Sequence, residues 1–572
     1  MMTRSMGLVM AWKMVAHSNG RRKSAMKNST LNSLVFLMVG ALLLVASCSA
    51  PEIEEVVEVN PRTTIPFSVV VATDMTKVSY ADAKYAFKTG DSFVVESGSS
   101  ERDDIEGTLA FDGDKKLKGE ISFETAKGQD NGTPLTITLI NADNSDKDSY
   151  AKGIAATLQE AVEKYSLFTT TLEFNSATTE SSPQRVSFAQ QAAFLEITAT
   201  FTNLLTSSMP TGETPVELAM ADGLKLSGKA EITKVGSDYK ASFVAALPGG
   251  TEMQGSKLSV CEREIDILPS SKVIEKNKQY KVARSVDFSP QLGDPFWSDG
   301  SYGSIQHGEG VSIIGIVMYV KGNISGDAAV VGGDEYHALV MSLKNVESEG
   351  TAWGTTKQRC ADGLLIQKTE NVLDFARMDG YTMTSNLVNN HNLKNPVETP
   401  NTEVAAAYKA WYYLGSAGES RNVPTGTTGW FLPSIGQWLY SISGNGFGGA
   451  LPVDQWVNSA GNNWRTSGNL SNQALVLEGS NSLATKLNSR LQTLIDRGYN
   501  CEFDGFAIND NYSTCSENND KNAIRFNISS DVKLNGKTYS AIKTATVPKV
   551  NNYGYKEGTI YYYMKIRPFL AF

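Results

Sequence analysis

Histidine is nearly absent: four occur in 572 residues. His17 lies near the N-terminus, and His307, His337 and His391 stand far apart in sequence, so little is at hand for a base-assisted nucleophile or an imidazole-bound metal. His337, in the apolar run Y-H-A-L-V-M, is expected to be a core histidine. Cysteine is scarce too. Cys48, Cys261, Cys360, Cys501 and Cys515 show no C-x-x-C spacing, which removes the common zinc patterns. Positive charge is short: the formal net charge is -9, and six of the cations (Arg4, Lys13, Arg21, Arg22, Lys23, Lys27) precede residue 48 with no acid among them. An acidic chain without a basic stripe is not expected to bind nucleic acid. No G-x-S-x-G elbow is present; Ser434 lies in L-P-S-I-G. Residues 444–449 read G-N-G-F-G-G, but behind a helix-like segment instead of a strand, so a dinucleotide site is not expected. Neither catalytic residues, nor a metal, nor a cofactor is expected.

What the chain has is β-type composition and an export-type beginning. The apolar run Leu34 to Ala46 follows the basic residues and is too short to span a bilayer comfortably, which suits the core of a secretory signal. It ends in V-A-S-C, and Val45–Cys48 resembles the bacterial lipobox, in which the cysteine is lipidated and becomes the first mature residue. Residues 1–47 are therefore read as a lipoprotein signal, with Met26 an alternative start, and Cys48 as the lipid anchor to the outer membrane. Glu52, Glu54, Glu55 and Glu58 make residues 48–64 an acidic tether. An acidic patch directly after the lipid cysteine also resembles the signal for display on the outer surface.

From Ile65 onward, I-P-F-S-V-V-V-A-T, G-D-S-F-V-V-E-S, K-G-E-I-S-F-E and T-P-L-T-I-T-L-I-N are separated by Gly, Asp and Asn turns, the pattern of antiparallel strands. One helix is expected over 150–165, with Ile154, Leu158, Ala161 and Val162 on a single face. A polar, proline-marked linker at 176–184 precedes a second strand series. In it, F-L-E-I-T-A-T-F (194–201) alternates as a half-buried strand does.

V-S-F-A-Q-Q-A-A-F-L-E-I-T-A-T-F, the helix ending L-Q-E-A-V-E-K-Y and the phrase K-N-K-Q-Y-K-V-A-R-S-V resemble fimbrillin-type surface proteins over residues 50–286. The resemblance implies two transthyretin-like β-sandwiches, the first carrying one helix (65–180 and 181–286). It also implies assembly with other fimbrial subunits by strand addition, after a protease cuts behind an arginine. Arg62–Thr63, just before the first strand run, is the matching bond.

Residues 287–572 hold seven of the eight tryptophans. W-S-D-G-S-Y-G, I-I-G-I-V-M-Y-V, G-W-F-L-P-S-I-G-Q-W and K-I-R-P-F-L-A-F together resemble a C-type-lectin-like domain of α+β fold. The fold expected for the whole chain is thus mainly β. In G-W-F-L-P-S-I-G-Q-W, Pro433 disfavours helix just before it. Ser434 and Gln437 then fit a capping box, and Ile435, Trp438 and Leu439 share a helical face, so a buried strand-to-helix corner is expected. The K-I-R-P-F-L-A-F run is expected to be a closing strand and not a donor.

The four cysteines besides Cys48 allow three pairings, of which Cys501–Cys515, enclosing a short loop, is preferred. A ligand surface is expected in the loops near 444–464 and 501–515, at Trp456, Trp464, Asp504, Asn509 and Asp510. The Asp/Asn-rich stretch 509–526 is read as turns and not as a calcium site. The expectation is a minor or tip fimbrial adhesin at the cell surface, binding a host or bacterial glycan or protein. The alternative is a surface lipoprotein that captures glycans without polymerising, with Trp297, Trp353 and Trp411 adding stacking platforms; an enzyme of the formylglycine-generating type is a distant third.

Overall fold

The computed structural model describes residues 61–572 except 73–76, 81–82, 90, 100–101, 129–130, 141–150, 176–182, 206–208, 210, 268–270, 321–336, 347–352, 355–367, 370–371, 374–377, 391–403, 414–422, 445, 465–472, 480–482, 518–521 and 549–563. Two compact units divide the chain: Met1–Thr64 with Phe123–Gly128, and Ile65–Ser122 with Gln129–Phe572. In the smaller, Thr125 donates its backbone N–H to the Pro61 carbonyl at 2.7 Å, and the Thr63 and Thr125 hydroxyls meet at 2.8 Å.

The chain is mainly β, as its composition implies. The first sheet is a path of eight strands: Gln184–Val186, Arg62–Val71, Lys116–Glu124, Glu106–Phe111, Ser92–Ser97, Pro134–Ile140, Phe168–Glu173 and Ala189–Gln190. Its two end strands are separated in sequence only by Ser187 and Phe188, so the path must curl until its ends meet. The enclosed core is aromatic: Phe87 meets Phe93, Phe168 and Phe188 edge-on at 5.3, 5.5 and 5.6 Å. The two end strands, Gln184–Val186 and Ala189–Gln190, belong to the first sheet although they lie beyond the expected boundary at 180.

Arg62–Val71 is a long strand with a short outer partner. Gln184–Val186 runs parallel to it and pairs only with Val69, Val70 and Val71. Among the described residues, 63–67 have no strand on that outer side. Phe67, Val69 and Val71 point into the core, and Arg62 is exposed.

The helix is shorter than expected. It covers Leu158–Tyr165, with the Thr157 side chain accepting the Glu160 N–H at 3.2 Å as its N-cap, and it buries Leu158, Ala161 and Val162. Gly153–Ala155 is instead a strand, antiparallel to Val244–Ala246 in the second sheet. Pairing with an available sheet edge overrides the helical spacing of Ile154.

The second sheet follows the order Arg263–Asp266, Lys257–Val260, Gly212–Ala219, Lys225–Val235, Asp238–Pro248, Ala192–Thr202 and Gln279–Asp287. Ala192–Thr202 buries Leu195, Ile197, Ala199 and Phe201 as the alternation predicted, and Phe194 besides. It is antiparallel to Asp238–Pro248 and parallel to Gln279–Asp287.

The C-terminal region contains two four-stranded sheets. One is Pro295–Trp297, Ile313–Val320, Ala338–Ser342 and Phe569–Ala571; the other is Gln473–Glu478, Lys537–Pro548, Asn522–Leu534 and Asn511–Glu517. Helices Gly380–Asn390, Ala405–Tyr412, Ile435–Ile442 and Leu483–Asp496 accompany them. The final strand is a core element: Phe569, Leu570 and Ala571 are fully buried, and the Phe572 carbonyl accepts the N–H groups of His337 and Ala338.

The second sheet and the C-terminal region share one apolar core. Phe201, Phe288, Tyr302 and Phe572 form a chain of rings at 5.4, 5.6 and 5.2 Å. Beside it, the Arg263 guanidinium forks onto both Asp294 carboxylate oxygens, with side-chain exposures of 4% and 5%, and lies 4.9 Å from the Phe288 ring centre.

Candidate functional site

The G-W-F-L-P-S-I-G-Q-W corner is built as its sequence implies. Trp430, Phe431 and Leu432 are buried, and Phe431 exchanges backbone hydrogen bonds with Phe569 at 2.8 and 3.0 Å. Ser434 caps the helix Ile435–Ile442: its side chain accepts the Gln437 N–H at 3.1 Å, and the Gln437 side-chain Oε1 accepts the Ser434 N–H at 2.8 Å. Gln437 also donates to the Met378 carbonyl at 2.8 Å, tying the corner to a neighbouring segment. Trp438 stacks on Phe526 at 4.9 Å and 11° and touches Tyr512 and Phe569. Ser434 is thus a capping group in the core.

The expected ligand surface is not assembled. Trp456 and Trp464 are fully buried against each other, ring centres 5.8 Å apart, and the Trp456 indole donates to the Leu451 carbonyl at 2.6 Å. Their large apolar rings fill the core and do not flank it. Asp504 accepts the Asn345 N–H at 2.6 Å. Asp510 accepts from Ala507 N–H and the Tyr512 hydroxyl and faces Lys565 at 2.8 Å. Asn509 is an exposed turn residue at φ 71. Trp297 and Trp353 are buried as well, and Trp411 is half-buried against Tyr381, so these indoles are not open stacking platforms. Among the described residues no group of three or more His, Cys, Asp or Glu is placed to hold a metal.

The preferred disulfide is corrected also. Cys501 carries a free thiol. Cys515 lies inside the strand Asn511–Glu517 and packs into the core shared with the second sheet, whereas Cys501 packs on the other hydrophobic cluster, beside the corner helix. Closeness in sequence does not bring the two to one face of the strand. Burial pushes the Cys501 thiol up, and the buried Cys261 thiol goes up to about 11. Cys48, Cys360, His391 and residues 48–60 of the expected tether lie outside the described residues, whereas residues 62–64, expected in the tether, already belong to the first strand. His337, expected in the core, is exposed: it sits just before the strand Ala338–Ser342, and its backbone N–H donates to the Phe572 carbonyl at 2.7 Å.

One cluster was missed by the sequence reading. A cavity of about 350 Å³ between the second sheet and the C-terminal region is lined by Cys261, Glu262, Trp297, His307, Arg497 and Tyr499, among others. His307 lies against Trp297 with ring centres 4.1 Å apart; its Nδ1 is 3.3 Å from the Asp299 carboxylate and its Nε2 3.2 Å from Ser301 Oγ. The set has the membership of a catalytic triad but not its wiring. The Ser301 hydroxyl donates to Asp299 at 2.7 Å and is 1% exposed, so no nucleophile is presented. It staples a loop. Burial works against ionisation of Asp299, but hydrogen bonds from His307 and Ser301 outweigh it and hold the carboxyl at about 2. Arg497 and Glu262, 2.9 Å apart, pair across the same junction. The spacing D-x-S-x5-H was the available signal, and it is too short-range to stand out from turn chemistry.

No protein-family model and no curated protein matches the sequence. Among solved structures, a fimbrial protein from Bacteroides ovatus is 15% identical, with 89% of this chain and 100% of that one covered and a TM-score of 0.31. The tip fimbrial protein Mfa3 from Porphyromonas gingivalis, with C-terminal truncation, is 9% identical over 39% of this chain and 94% of that one, TM-score 0.21. The minor pilin GBS52 of Streptococcus agalactiae is 11% identical over 40% and 97%, TM-score 0.19. At these scores a likeness does not establish a common fold.

Proposed function

We propose that the chain is a cell-surface subunit of fimbrial type, anchored as a precursor through Cys48, whose first sheet accepts a strand from a neighbouring subunit and whose lectin-like C-terminal region is the adhesive head. The observation that carries this reading is the outer side of residues 63–67, which has no strand among the described residues and directly follows the exposed Arg62. Unpaired backbone groups on a strand edge are satisfied by another chain, and cutting Arg62–Thr63 leaves that edge in place while releasing everything before it. The last strand, Phe569–Ala571, is buried between Ala338–Ser342 and Phe431 and is not free to be donated. A closing strand held in its own sheet is not the one donated, which fits a minor or tip position. The glycan-capture alternative is the weaker one, because its tryptophan platforms are buried.

The test is the mature N-terminus. Surface material sheared from cells is expected to begin at Thr63, and Arg62→Ala is expected to leave full-length precursor in the membrane fraction and remove the protein from the sheared fraction. Sheared material with an intact Arg62–Thr63 bond would refute the reading.

A further inference from the structure

In the glycine-rich loop 444–449, the N–H groups of 446–449 are taken within the protein and offer no cradle to a phosphate. Gly446, Phe447, Gly448 and Gly449 donate their N–H groups to the carbonyls of Ser443, Met318, Ser441 and Gly446 at 2.9, 2.8, 3.0 and 3.1 Å. What faces the loop is a pair of cations. Lys486 and Arg490 lie one turn apart on the helix Leu483–Asp496, and so on one face. Lys486 Nζ donates to the Gly449 carbonyl at 2.8 Å, and the Arg490 guanidinium lies 5.5 Å from the Phe447 ring centre. A methyl group at Gly449 would stand 2.7 Å from Arg490 Nη2 and 3.3 Å from Lys486 Nζ, so the two charged heads converge on the space that the missing side chain leaves.

Both cations are half-buried and neither has a carboxylate within ion-pair distance among the described residues. Two other half-buried lysines of this region, by contrast, have one: Lys344 faces Glu502 at 3.0 Å and Lys565 faces Asp510 at 2.8 Å. Burial lowers the pKa of both Lys486 and Arg490, and the neighbouring guanidinium lowers that of Lys486 further. Two like charges brought together without an acid, in a chain of net charge -9, constitute a local excess that an anion would neutralise. Gly449 itself is half-exposed, which leaves the point of convergence open to solvent.

We propose that Lys486, Arg490 and the Gly449 notch form a binding site for a small oxyanion, a sulfate or carboxylate group, free or carried on a sugar. The planar guanidinium takes two oxygens, and the ammonium shares one of them in a carboxylate or takes a third in sulfate, an arrangement that neutral sugars do not satisfy. The site does not depend on the strand edge of the first sheet, and its test reads neither assembly nor cleavage.

The full chain is titrated with inorganic sulfate, glucuronate and glucose at constant ionic strength set by chloride, following Tm and the heat of binding. Sulfate or glucuronate is expected to raise Tm saturably, and glucose is not. Glucuronate acting alone identifies the sugar-borne group; sulfate acting equally well identifies the oxyanion. In K486Q/R490Q the apparent affinity is expected to fall at least tenfold. Should the double variant fold poorly, K486Q alone keeps the contact with Phe447, and the amide NMR signals of Gly448 and Gly449 in the wild-type chain are expected to move with the same saturation. Equal Tm shifts in wild type and variant, or no saturable response of the wild type to either anion, overturn the proposal.

Discussion

Asp299 holds two neighbours by one carboxylate: His307 on one oxygen and the Ser301 hydroxyl and N–H on the other. Its pKa in the folded chain is about 2, against 3.8 ordinarily. A depressed carboxyl contributes its stabilisation fully above the unfolded value and loses it as pH falls through the folded one. The acid limb of stability between about pH 4 and pH 2 should therefore carry an Asp299 component. Urea midpoints measured across that range are expected to fall less steeply in Asp299→Asn than in the wild type; parallel slopes would remove the component. Ser434 is a residue-scale feature of another kind, because it acts on backbone groups and not on charge. A capping side chain of this type is worth about 1 kcal/mol, and the pairing with Gln437 was legible because a capping box is written in four consecutive residues. The Ser301–His307–Asp299 set was not, since only the folded loop turns the imidazole back onto the two earlier side chains.

At the scale of elements, the strand Gly153–Ala155 best shows where sequence reading stops. Ile154, Leu158, Ala161 and Val162 do repeat at helical spacing, and all four are buried, but Ile154 reaches the interior from a strand. The deciding fact is a remote one: Lys225–Val235 pairs with Asp238–Pro248 only as far as Ser242, which leaves Val244–Ala246 for a new partner. No local pattern announces that vacancy. The same holds for Trp456 and Trp464, whose burial depends on strands and helices distant in sequence. By contrast, the alternation in 194–201 and the turn residues between strands were enough to give the β character. Ile154 rests over Gly228, where an added Cβ would come within 2.5 Å of the isoleucine side chain. Gly228→Val is expected to displace the inserted strand and destabilise the protein by about 1–3 kcal/mol. Hydrogen exchange should then quicken at Ile154 and Ala155 while Leu195 and Ile197 keep their protection; unchanged exchange at Ile154 would count against the insertion.

For the whole molecule, the junction of the second sheet with the C-terminal region decides whether the two behave as one cooperative body. Arg263 and Asp294 are both almost fully buried there, and removing one partner strands the other charge. Arg263→Met is expected to cost about 3–5 kcal/mol, and adding Asp294→Leu to recover most of it. Calorimetry should show the transition of the second sheet and that of the C-terminal region moving together. A shift confined to one of two separate transitions would mean the shared core does not couple them. This body also has a mechanical character. Its chain arrives from the first sheet at Ala192 and departs for the C-terminal region after Asp287, and the strands that receive and release it run parallel, in register from Phe194 opposite Gln279 to Thr202 opposite Asp287. Tension between the first sheet and the C-terminal region therefore drags these strands lengthwise past each other and loads the whole ladder in shear. Peeling would break it rung by rung; shear requires the rungs to yield together, which slows rupture under load. A chain held through its first sheet and pulled at its C-terminal region would load this ladder along its length.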